Sequence, residues 1–169
     1  MAFTTIFKLQ SNKLGPIGTP KRIYNFDARV STFGGGQKVD VMLLQALFRL
    51  FYYQFDGSVP FPVQSTGVID VYGIVGEQTR LHIQHYQKHL LLRGDTVTTD
   101  GVIDPFKKQG VKTSHTKVTY QLEVLNADVL KLAIANNAEF VHQNITEPNT
   151  VSNDIPPALR SALRVVRTL

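Results

Sequence analysis

Val41, Leu44, Phe48 and Phe51 recur at steps of three and four, and so line one stripe of a helix. That helix is predicted to begin at Asp40, whose carboxylate is placed to cap the free N–H groups of the first turn. Leu43, Leu47 and Leu50 widen the stripe, so the helix should be buried on much of its circumference. A second helix is predicted from about Glu77 to Leu91. Gly76 supplies its tight entry, Glu77 suits the positive end of its dipole, and Ile83, Tyr86 and Leu90 form its inner face. The two helices should pack through Leu44, Phe48, Ile83 and Tyr86. Residues 115–137 carry two patterns. Val118, Tyr120, Leu122 and Val124 alternate as in a strand, while Val118, Leu122, Leu125, Val129 and Leu132 recur at helical steps; the longer pattern favours helix.

The flanks read differently. Residues 4–9 and 22–30 have strand composition, and Gly15, Pro16, Gly18 and Pro20 make a turn between them, so an N-terminal β hairpin is expected. Gly34, Gly35 and Gly36 form a joint before the helical part, and residues 54–67, with Asp56-Gly57, Pro60 and Pro62, should be largely loop. Residues 146–157 read as a linker. Beyond them Leu159, Leu163 and Val166, flanked by Arg160, Arg164 and Arg167, predict a short amphipathic helix, too narrow to fold alone, which must dock either back on its own domain or on a partner. The expected organisation is an N-terminal extension over 1–36, a helical domain over 37–138, and a linker with C-terminal helix over 139–169. The fold class is mainly α.

At 169 residues with 43% hydrophobic and 18% charged positions, the chain is an ordinary globular domain. It has no apolar run long enough to span a bilayer, and its first residues lack the layout of a secretory signal, which predicts cytoplasmic synthesis. Having no cysteine, it cannot form disulfides, cysteine-ligated zinc sites or a thiol nucleophile. The net charge of +5 favours polyanions, yet the cations are scattered in pairs such as Lys21-Arg22 and Lys107-Lys108, without the aromatic interleaving of a nucleic-acid surface, so no nucleic-acid partner is expected.

Candidate chemistry is sparse. His82, His85 and His89 fall within a narrow arc of the second helix, the arrangement of a weak zinc or nickel site, but no carboxylate shares the arc, and a solvated polar flank explains them more simply. No metal, cofactor or catalytic residue is assigned. Ser114 and Lys117 copy an S-x-x-K spacing without companion motifs, and no pair of carboxylates can be matched across a cleft. Gly73 and Gly76 lack both the spacing and the lysine of a phosphate loop. Turn geometry accounts for Asp70, Asp100 and Asp104.

The ordered series Val41-x-x-Leu44-Gln45, Tyr72-Gly73-x-x-Gly76-x-x-Thr79, Tyr86-Gln87 and Asp100-Gly101-x-x-Asp104 resembles the peptidoglycan-binding-domain family over residues 39–106. Three departures stand out: Tyr52-Tyr53 replaces a Gly-Tyr pair, Tyr72 replaces the first aspartate, and Asp104 replaces the last glycine. The resemblance implies a three-helix core, with Gln45 and Gln87 satisfying turn backbone groups, and non-catalytic binding of bacterial peptidoglycan in a shallow groove. The groove candidates it leaves are Tyr53, Tyr72, Gln78, Arg80, Gln84 and Asp100. The alternative is a structural or adaptor component of a phage particle or contractile secretion machine, docking through the C-terminal helix.

Overall fold

The computed structural model describes residues 1–8, 20–55, 68–105, 120–136 and 156–168. The turn over 9–19, most of the loop over 54–67, Ser114, Lys117 and the linker before Pro156 lie outside the described residues. What is described is mainly α. Helix α1 (Lys38–Arg49) runs into a π-helical turn (Leu50–Gln54), and α2 (Glu77–Leu92), α3 (Gln121–Ala135) and a short α4 (Pro157–Leu163) follow.

Every residue from Asp40 to Phe48 is buried, so α1 is enclosed on all sides, further than its stripe implied. Asp40 does not cap it. The helix starts two residues earlier, after Gln37, and the Asp40 carboxylate turns instead toward the N-terminal segment. There it accepts from the Ala28 N–H at 3.3 Å and pairs with the Met1 amino group at 3.1 Å. A buried carboxylate cannot be left unpaired, and a cation and an amide brought from upstream meet that need better than its own helix end. Desolvation nevertheless raises its pKa above the ordinary range.

Strand β1 (Phe3–Lys8) lies between β2 (Pro20–Asn25), antiparallel with Phe3 opposite Asn25, and β5 (Val166–Thr168), parallel with Thr4 opposite Val166. A second small sheet pairs β3 (Val30–Ser31) with β4 (Val102–Ile103), tying the N-terminal segment to the turn at Gly101. Helix α3 packs on β2 and the π-helical turn, with Asn126 bridging to both the N–H and the carbonyl of Tyr24 at 2.8 and 2.9 Å.

Of the two placements open to the C-terminal helix, the structure takes the docking back on its own domain. Helix α4 docks on α1 and β1, and Leu159 and Leu163 are fully buried there. Val166 does not belong to its stripe, because the chain leaves the helix at Leu163 and enters β5. The Thr4 hydroxyl donates to the Leu163 carbonyl at 2.6 Å. Arg167 pairs with Asp27 at 2.8 Å and stands 4.3 Å over the Phe3 ring. A seven-residue helix is unstable alone; two buried leucines and a strand pairing hold it in place.

Candidate functional site

Two glutamines organise the exposed turns. The Gln45 Oε1, on fully buried α1, accepts from the N–H groups of Tyr72 and Gly73 at 3.1 and 2.9 Å. Its Nε2 donates to the Ile74 carbonyl at 3.0 Å and the Thr79 hydroxyl at 2.9 Å. All four hydrogen-bonding positions of the amide are used. Gln87, on α2, repeats the arrangement one helix later. Its Oε1 accepts from Gly101 N–H at 2.9 Å, and its Nε2 reaches the Val102 carbonyl and the Gln121 Oε1 at 3.1 and 3.0 Å. Each glutamine thus holds, from inside, a turn that passes its outer face to solvent.

The first of these turns carries Tyr72 and leads into α2, which carries Gln78, Arg80 and Gln84. Tyr72 is 38% exposed and Ile74 64%. Gly73 has φ of +82°, and a side chain there would meet the Lys38 carbonyl at 2.7 Å, so only glycine lets the turn lie this close to α1. Gly76 has extended backbone, and the Tyr72 hydroxyl lies where a Cβ would stand, so a side chain there would have to push only the end of the Tyr72 ring aside. Glu77, Arg80 and Gln84 then follow on the exposed face of α2, at spacings of three and four. Arg80 and Gln84 therefore share one exposed face of α2, and Tyr72 is exposed on the turn that precedes it. Asp100 belongs to the second turn. Its carboxylate caps that turn by accepting from Val102 N–H at 3.0 Å, and the Gln87 Nε2 contacts it at 3.4 Å.

Tyr53 and Gln78 belong to a flank behind this surface. The π-helical turn stands at the Tyr52-Tyr53 pair, and it sets two tyrosine hydroxyls against two histidines of α2. His82 Nδ1 donates to the Gln78 carbonyl at 2.7 Å, since a carbonyl can only accept. The neutral ring's Nε2 then accepts from the Tyr53 hydroxyl at 2.9 Å. The Tyr52 hydroxyl and His85 Nδ1 are hydrogen-bonded at 3.0 Å. His82 packs against Phe48 and Tyr52 with ring centroids 5.7 and 5.5 Å apart. Burial pushes the His82 imidazole down to about 4 and the Tyr52 phenol far up.

The solvated polar flank predicted for the histidines is therefore corrected. His82 is fully buried, and His85 and His89 are half-buried against aromatic rings. The signal was present in the sequence: Thr79, His82, Tyr86 and Leu90 share the inner spacing with Ile83, and only the polarity of histidine hid it. Among the described residues no group of three or more histidines and carboxylates is arranged to hold a metal, and His82 has both ring nitrogens engaged. Sequence reasoning also missed Glu123, on the first turn of α3. Its Oε2 is buried without a hydrogen-bond partner, and burial lifts the carboxyl to about 7.

Comparison with protein-family models, with curated proteins and with solved structures returns no match. No described helix is long and apolar enough to cross a membrane.

Proposed function

We propose that the chain is a non-catalytic binding module for bacterial peptidoglycan, built on a three-helix peptidoglycan-binding-like core with an N-terminal hairpin. The observation that carries this reading is the paired glutamine latch. Gln45 and Gln87, the two glutamines of the resembling motif, each hold a glycine turn through the backbone N–H of that glycine. The same residue type makes the same bond at both turns, which supports the resemblance. The binding surface is the rigid Tyr72–Gly76 turn with the outer face of α2, where Tyr72, Arg80 and Gln84 offer an aromatic ring, a cation and an amide. Tyr53 and Gln78 support it from behind, and Asp100 serves the second turn. Purified sacculi should retain the protein in the pellet and release no soluble muropeptides. Heat-labile fragment release would make it a hydrolase, and absence of retention would remove the wall from its function.

A second reading is a structural or adaptor part of a phage particle or contractile secretion machine, which would also supply a route to the wall. What favours it is the pair Leu91 and Leu92 at the end of α2, 54% and 78% exposed, a costly placement for a protein without contacts there. Copurification with a particle, lost on Leu92→Asp with wall retention unchanged, would establish it.

A further inference from the structure

Resting on the wall-binding reading, we infer that the contact at the first turn is with the peptide part of the polymer and not with its glycan backbone. That peptide is a short chain of small side chains bearing free carboxylates and amino groups. The tip of the turn is aliphatic: Ile74 is 64% exposed. Around it stand three exposed charges of both signs, Lys38, Glu77 and Arg80. Lys38 belongs to this rim because its stem packs over Gly73, 2.6 Å from where a side chain would start. None of the three makes an ion pair with another described residue. Two cations and an anion, all exposed, match a ligand carrying carboxylates and an amino group better than a simple polyanion.

Glycan recognition asks for something else: a bare aromatic face on which a sugar ring can lie, framed by planar amides. The ring here, Tyr72, has its hydroxyl laid against Gly76 and is only 38% exposed. The turn is also prepared in advance. Four hydrogen bonds from Gln45 hold its backbone, so a ligand does not have to order it.

Three probes separate the possibilities: intact sacculi, sacculi stripped of their peptides by an amidase, and a soluble free stem tetrapeptide as competitor. Retention on intact sacculi should fall at least about tenfold on the stripped glycan, and the free tetrapeptide should displace the protein. Ile74→Asp and Arg80→Glu, both exposed and checked for unchanged melting, should each lower retention by about tenfold. Arg164→Glu, exposed at the end of α4, should change it by less than about twofold. Equal retention on stripped glycan would place the contact on sugar, overturning this inference while leaving wall binding intact. Equal loss in all three variants would reduce it to unspecific charge attraction and overturn it too. No retention on intact sacculi would overturn both readings.

Discussion

Glycine at position 73 is required twice over, by a positive φ and by the Lys38 backbone beneath it. Gly34 also has positive φ, of +95°, but open space where a side chain would go. Gly73→Ala should therefore cost more than the ~1–2 kcal/mol of the left-handed conformation alone, while Gly34→Ala should cost only that. Comparing the two by urea denaturation separates conformational strain from collision. Two buried titratable residues make a second residue-scale prediction. His82 has its folded pKa depressed to about 4 from 6.5, so its contribution is present above pH 6.5 and is lost as pH falls toward 4. Glu123 has its folded pKa raised to about 7 from 4.5, so its contribution is present below pH 4.5 and is lost as pH rises through 7. Between pH 4.5 and 6.5 the two oppose each other and flatten the profile. Glu123→Gln should then raise stability above pH 7 by about 2–3 kcal/mol and give no such gain at pH 4.5. Thermal melts of both proteins across that range check it, and an equal change at both ends would mean the carboxyl is not desolvated.

At the scale of elements, α1 and α2 are joined through rings and amides together. Phe48 meets Tyr86 at 5.8 Å and Phe51 meets it at 5.5 Å, both edge-on, in the layer where Leu44 and Ile83 are fully buried. Truncating Phe48 to alanine should cost about 3–5 kcal/mol, as deep aromatic deletions do. Gln45→Ala should cost about 2–4 kcal/mol, because the N–H groups of Tyr72 and Gly73 would lose their acceptor. The two losses differ in signature. Hydrogen exchange in Gln45→Ala should speed first at Tyr72 and Gly73, whereas Phe48→Ala should loosen both helices. The aromatic spacing of α1 and the inner positions of α2 were legible from periodicity, since each follows from which faces a helix can bury. The π-helical turn was not. Local sequence offers Leu-Phe-Tyr-Tyr-Gln as an ordinary helical continuation, and the widened turn goes with hydroxyl partners supplied by His82 and His85, some thirty residues away.

The molecule as a whole is closed by its two ends. Strand β5 adds to β1 and α4 covers α1, so the last segment completes the core. Removing residues 156–169 exposes Leu159's and Leu163's contact surface on α1 and strips β1 of a neighbour. Such a truncation should lose several kcal/mol, with Leu163→Ala alone costing about 2–5 kcal/mol. Circular dichroism and melting of the truncated chain check this. A truncation that melts like the full chain would return α4 to the status of an arm for a partner, the other placement its arginine-flanked stripe left open. The stripe itself was real; its partner was what the linear pattern could not name.

What the sequence by itself determined is local and periodic. It set a mainly helical chain, the register of the buried stripes on α1 and α2, and the glycine turns, because each follows from the geometry of a single helix or turn. Only the tertiary structure decided where polar groups without a local partner would go. Asp40 turns from its own helix end to a cation and an amide of the N-terminal segment, and His82 enters the core between a carbonyl and a phenol. A helix folds on steps of three and four, but a buried charge or imidazole finds its partner in space, and that partner can lie anywhere along the chain.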